Sequence, residues 1–340
     1  MNRELAGARR RLPITLSTDQ AWALDALEEL TQRPSKMLRG CLAAAAYDSC
    51  SGKRMGQAGL QLAVALELMQ TYLLIIDDVM DVSEQRRGQA TLHETYRTFH
   101  HFGRHDANMS ALTIGLYTQH VAAEVLANID APASELSQTQ AIVHKNLEIT
   151  GLGQLQDIAS RWVDDSEGEF ESGLYEQKTG YYTFVNPIEA GLVLAGGHDV
   201  IDDCRTFGLP AGVAYQMYND SLGVFDSDID DPSAAVPDDI RGRKYTVLVH
   251  SLVQTCSESE RSELRGIFRK RSVSDTDALR IIQLMRQHHI DDINRQQIQA
   301  YVDQAKQAAM NAHSWDQLFA RELGSIVDWL TGAMHSDLLK

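Results

Sequence analysis

The sequence predicts an all-α fold. Apolar residues recur at helical spacing along almost the whole chain, strand-like alternation is nearly absent, and only 7 prolines interrupt its 340 residues. Hydrophobic residues make up 44% and charged residues 23%, enough to bury a substantial core. With no composition break, repeat or low-complexity tail, a single helical domain over residues 1–340 is expected, with 1–16 as a flexible lead-in.

A capping-box pattern at Ser17–Gln20 opens the first helix, through Ala21–Leu30. A second is predicted from about Pro34 through Ala46, and a third from about Gln57 to Val82 is the longest and most apolar. Further helical patterns cover about Met109–Asn128, Ser137–Arg161, Gly173–Ala195, Thr206–Phe225 and Tyr245–Thr255. The last four are Ser259–Lys270, Asp275–His288, Asp291–Ala312 and Trp315–Met334. Connections are short and polar, and those at 164–173 and 226–239 are strongly acidic. Such a bundle is expected to hold a ligand cavity between its helices.

The net charge of −16 argues against nucleic acid as a partner, because phosphate binding needs a basic face. Four scattered cysteines with no C-x-x-C pair suit a reducing compartment. The N-terminus is basic without an apolar signal-like core, and apolar runs such as Ala63–Ala65 and Leu73–Ile76 are too short to span a bilayer. A soluble cytoplasmic protein with no membrane span is expected.

One stretch points to chemistry. The third helix ends in Asp77, Asp78 and Asp81, and Arg86 and Arg87 follow. Four residues apart on a helix, Asp77 and Asp81 lie on nearly the same face and would repel unless a cation bridges them. Mg²⁺ fits, since it takes few protein carboxylates and completes its shell with water and substrate phosphate oxygens. The arginines supply permanently charged, bidentate anion-binding groups. A solvated helix end whose charges merely neutralise one another is the competing reading, and the apolar lead-in and R-R-G spacing outweigh it.

The order Asp77-Asp78-Val-Met-Asp81, then Arg86-Arg87-Gly88 and Thr91-Leu92-His93, resembles the first aspartate-rich motif of the trans-isoprenyl diphosphate synthases, which include the farnesyl and geranylgeranyl diphosphate synthases. Other stretches carry the resemblance from about Arg33 to Val249. Ser35-Lys36-Met37-Leu38-Arg39-Gly40 is similar to the family's G-K-R-x-R-P signature, with Lys36 and Arg39 on the positions that bind isopentenyl diphosphate. Gln70 stands where the family has a histidine touching the same diphosphate. Lys178-Thr179 matches the K-T pair at the allylic diphosphate, and Lys244 a further diphosphate lysine. The second aspartate-rich motif, F-Q-x-x-D-D-x-x-D, is represented by Tyr215-Gln216-Met217-Tyr218-Asn219-Asp220, with Gly223 in place of its third acid. Gln216 and Asp220 match, Asn219 replaces a metal-binding acid, and Asp226 or Asp228 could compensate.

The resemblance implies an isoprenoid-synthase-type helix bundle with a central active-site cavity. It implies Mg²⁺-dependent condensation of isopentenyl diphosphate with an allylic diphosphate, by ionisation and head-to-tail addition, in a homodimer. Asp77, Asp81, Asp78, Asp220 and Asn219 would hold the metal; Lys36, Arg39, Gln70, Arg86, Arg87, Lys178 and Lys244 would bind the diphosphates, with Thr179 and Gln216 also in the catalytic set. In the family, bulk just before the first motif limits chain length, so Tyr72 and Leu73 imply a short C15–C20 product. A class I terpene cyclase on the same fold and a non-catalytic partner subunit are the alternatives. The second diphosphate site formed by Lys36, Arg39 and Arg87 counts against the cyclase, and the intact first motif against the partner subunit.

Overall fold

A computed structural model describes residues 1–54, 56–86, 88–160, 172–225, 237–270 and 272–332. Arg87, Asp226, Asp228 and most of both acidic connections lie outside the described residues. The segment expected to be flexible at the N-terminus instead carries helix α1 (Asn2–Arg11). Its Leu5 and Ala8 are buried, Arg9 pairs with Asp25 at 2.5 Å, and Asn2 accepts a 2.8 Å hydrogen bond from Thr31. Helix α2 (Thr18–Gln32) starts at the predicted capping box, with Ser17 and Gln20 satisfying each other's backbone N–H groups.

Next come α3 (Leu38–Ser51) and α4 (Gln57–Met80). A two-residue hairpin, β1 (Gln85–Arg86) and β2 (Gln89–Ala90), follows, with Gln85 opposite Ala90 and Arg86 opposite Gln89. Helices α5 (Leu92–Phe99), α6 (Arg104–Ala127) and α7 (Ala133–Ala159) complete the first half of the chain. The segment predicted as one helix over Gly173–Ala195 is helical throughout but changes type. It comprises α8 (Gly173–Tyr175), a π-helix (Glu176–Val185) and α9 (Asn186–Leu194). Then follow α10 (Ile201–Phe225), α11 (Asp238–Arg241), α12 (Val247–Thr255) and α13 (Glu258–Phe268). The last are α14 (Asp275–Gln287), α15 (Ile290–Asn311) and α16 (Gln317–Leu330).

The backbone forms two compact units, Met1–Val143 with Pro187–His198, and His144–Asn186 with Asp199–Lys340. In the first, α4 packs between α3 and α6 and buries Leu62, Ala65, Leu66, Leu68, Met69 and Ile75. By length and composition α4 could cross a membrane, with mean hydropathy 1.6 over its most apolar 18 residues, because only Gln61, Glu67, Gln70 and Thr71 interrupt its apolar runs. Over half of that stretch is buried inside the protein, as in a core helix.

In the second unit, α10 packs against the π-helix and α15. Backbones touch where α10 crosses the π-helix: a Cβ on Gly212 would lie 2.2 Å from Gly180 Cα. π-Helical turns are rare and cluster at functional sites. This one carries Lys178 and Thr179.

Gly212→Ala should therefore destabilise the protein by about 1–3 kcal/mol through overpacking. Gly266→Ala in α13, where an added methyl meets open space, should stabilise it by about 0.5–1 kcal/mol. Urea unfolding midpoints of the two variants check both signs.

Candidate active site

The apolar face of α4 runs to its carboxylates through Tyr72 and Ile75, both buried, and Leu73, Leu74 and Ile76, which are half-buried. Burial pushes the Tyr72 hydroxyl up to about 12. Asp77 and Asp78 occupy the last turn of α4, and Asp81 caps it, its N–H bonded to Asp77 O at 2.8 Å. Asp78 is buried and Asp77 part-exposed. Arg86, carried on β1, donates from Nε to Asp78 Oδ1 at 2.7 Å, adds a second bond from Nη2, and lies 3.5 Å from Asp77 Oδ2. Burial pushes the Asp78 carboxyl up to about 6 against the pull of Arg86, and Asp77 and Asp81 push the same way.

The hairpin has its own supports. The fully buried Thr91 hydroxyl donates to Ser83 O at 2.8 Å, and Arg33 donates to Ala90 O at 2.9 Å while its other nitrogens bond Glu29. A pocket of this unit is lined by Arg33, Glu67, Gln70, Leu74, Asp78 and Arg86. Gln70 presents a buried Oε1 with no hydrogen-bond partner. The structure thus brings Gln70, Asp78 and Arg86 together around one pocket. Lys36, exposed just before α3, and Arg39, half-buried in its first turn, are not among the residues lining it.

Gly40 has a local reason to depart from the family's proline. Its N–H donates to the buried Glu67 carboxylate at 2.8 Å, and a Cβ would meet Glu67 Cγ at 3.0 Å and Ala63 O at 3.1 Å. Proline has neither the N–H nor the room.

In the second unit, Asp157 of α7 is the centre of a cationic cluster. Its Oδ2 lies 2.6 Å from Lys178 Nζ and 3.4 Å from Lys244 Nζ, and Lys244 also reaches Asp239 at 3.2 Å. Burial opposes the charge of Asp157, but the two ammonium groups outweigh it and hold the carboxyl below its ordinary range. Lys244 follows α11 in a turn anchored by Arg243, which adopts φ +60° and donates to Phe268 O and Lys270 O at 3.3 and 3.0 Å.

Asp220 of α10 is buried in a chain of neutral donors. Thr179 donates to Gln216 Oε1 at 2.8 Å, Gln216 donates to Asp220 Oδ1 at 2.7 Å, and Tyr175 OH donates to Oδ2. Val247 N–H supports the Tyr175 oxygen at 3.2 Å. Burial and the charge of Asp239 raise the Asp220 carboxyl well above its ordinary range. Asn219 is half-buried beside it. Asp157, Tyr175, Asp239 and Arg33 are the site residues that sequence reasoning missed. Tyr175 stands only three residues before Lys178, its one sequence cue; Asp157 carries none.

Residues 20–285 match the polyprenyl synthetase family profile, and the chain belongs to that family. It is 24% identical over 258 residues to a geranylgeranyl diphosphate synthase of Saccharolobus solfataricus, covering 75% of this chain and 74% of the relative. It is 27% identical over 266 residues to a short chain isoprenyl diphosphate synthase of Methanothermobacter thermautotrophicus, covering 78% and 77%. Its fold matches the crystal structure of a Corynebacterium glutamicum geranylgeranyl pyrophosphate synthase, complexed with isoprenyl diphosphate and magnesium. That match has a TM-score of 0.83 at 23% identity, over 97% of this chain and 96% of that one.

Asp157→Asn should cost about 2–4 kcal/mol at neutral pH, because it removes the carboxylate charge that two part-buried lysines share. A carboxyl whose folded pKa is depressed stabilises above the ordinary value of about 3.9 and loses that contribution as pH falls through its folded pKa. Urea unfolding of both proteins across the acid range should show the difference closing only below that ordinary value. A difference independent of pH would mean that Asp157 acts through packing.

Proposed function

We propose that this protein condenses isopentenyl diphosphate with an allylic diphosphate to a short-chain, C15–C20 prenyl diphosphate, dependent on Mg²⁺. The reading is carried by α4, whose apolar wall ends in paired carboxylates beside a fixed arginine. Family membership and the names of the similar relatives support the reaction and do not favour the cyclase alternative.

The hard oxygen donors of Asp77 and Asp81 suit Mg²⁺, with Asp78 in support through its hold on Arg86. Asp220 with Asn219 is the weaker set: both Asp220 oxygens already accept hydrogen bonds, and Asn219 adds no charge. Bound Mg²⁺ supplies Lewis-acid stabilisation of the departing diphosphate. Arg86, Lys178 and Lys244 bind diphosphate oxygens and add positive charge where negative charge develops as the allylic C–O bond breaks. Lys36, Arg39, Arg87 and Gln70 hold isopentenyl diphosphate in reach of the allylic carbon. Thr179 and Gln216 keep Asp220 oriented.

The Tyr72–Ile76 wall excludes water that would quench the allylic cation. After the new C–C bond forms, the proton leaves to the released diphosphate. Tyr72 and Leu73 limit the length of the hydrocarbon tail. Leu152 and Leu155, 62% and 64% exposed three residues apart on α7, offer an apolar stripe that a second copy would cover in a homodimer. Four free cysteines suit the cytoplasm.

Purified protein incubated with Mg²⁺, isopentenyl diphosphate and each allylic diphosphate in turn should give C15 or C20 products. No elongation from any primer would overturn the proposal. Asp81→Asn should lower turnover on the order of a hundredfold or more. Tyr72→Ala should shift the products to longer chains, and an unchanged distribution would remove Tyr72 from length control.

A further inference from the structure

At the end of α12 opposite Lys244, three helix termini of the second unit meet around side chains that the prenyl chemistry does not use. Cys256 caps the C-terminus of α12, Glu260 lies in the first turn of α13, and His288 caps the C-terminus of α14. One sulfur, one carboxylate oxygen and one imidazole nitrogen from these residues all lie within 4.8 Å of one another. Cys256 is buried, and Glu260 and His288 are half-buried. His288 Nε2 is a buried ring atom whose near polar neighbour is Glu260 Oε2, at 3.2 Å.

We propose that Cys256, Glu260 and His288 form a zinc site that ties the ends of α12, α13 and α14 together. Thiolate, imidazole and carboxylate make a borderline-soft donor set that suits Zn²⁺ and is unlike the all-oxygen surroundings Mg²⁺ requires. Thiolate and carboxylate together balance the dication. Bonds of about 2.0–2.3 Å around tetrahedral zinc place ligand atoms roughly 3.3–3.8 Å apart, so the cluster closes by roughly 1.0–1.5 Å at most. Water takes the fourth position. As the S–Zn bond forms, the Cys256 thiol gives its proton to solvent.

Glu260 is already held for the task. Its Oε2 accepts from Ser257 N–H at 2.9 Å and Ser257 Oγ at 2.7 Å, and its Oε1 from Gln287 Nε2 at 3.1 Å. Such outer hydrogen bonds orient ligating carboxylates. The site does not depend on the prenyltransferase reading.

Chelator-treated full-length protein titrated with Co²⁺ alone should bind one ion in a site with tetrahedral visible absorption and a near-ultraviolet sulfur-to-cobalt charge-transfer band. Zn²⁺ should displace it and raise the unfolding temperature. Cys256→Ser should abolish the sulfur band, and His288→Gln should weaken binding at least tenfold. The band should survive in a Cys41→Ser, Cys50→Ser variant, which removes the two exposed thiols, and in Asp77→Asn, Asp81→Asn, which disables the aspartate-rich cluster. No sulfur band in the unmutated protein, a band that persists without Cys256, or undiminished affinity without His288 would each overturn the proposal.

Discussion

A carboxylate withdrawn from water must be given a partner, and that requirement fixes where the functional side chains of this protein sit. Asp78, Asp157 and Asp220 are all taken largely out of solvent, and each is satisfied differently. Asp78 takes the guanidinium of Arg86, Asp157 takes two ammonium groups, and Asp220 takes a tyrosine hydroxyl and a glutamine amide. Charged partners hold Asp157 ionised, whereas neutral donors leave Asp220 shifted upward. The same cations that make burial tolerable are the ones proposed to bind diphosphate.

Holding those cations in place accounts for much of the irregular structure. Arg86 rides on a hairpin too short to be stable alone. It persists because Thr91 fastens to Ser83 and Arg33 fastens to Ala90. Lys244 sits in a turn secured by Arg243 to the carbonyls at the end of α13. Lys178 and Thr179 stand on a π-helix whose close approach to α10 is possible only because Gly180 and Gly212 meet there.

Much of this was legible in order along the chain. The long periodic helices, the capping box before α2 and the aspartate spacing at the end of α4 follow from local rules, so sequence alone located them. Lys178, Thr179, Gln216 and Asp220 were legible by their motifs, and the structure joins three of them in one hydrogen-bond chain. Helix α5 and the hairpin are too short for periodicity to register. Helix α1 is strongly basic, and its order rests on burial of Leu5 and Ala8 and on an aspartate outside it, which local patterning does not weigh.

The sequence by itself determined the helical class, the apolar wall of α4, its terminal carboxylates and the identity of the cations, because each is written in residues close together in the chain. Only tertiary structure decided which acid meets which base. Asp157 lies 21 residues from Lys178, and Tyr175 lies 45 from Asp220. No spacing rule spans such distances; packing of whole helices brings those groups together. Packing also sets which charges face each buried carboxylate, and these, against a desolvation that raises both, move Asp157 and Asp220 in opposite directions.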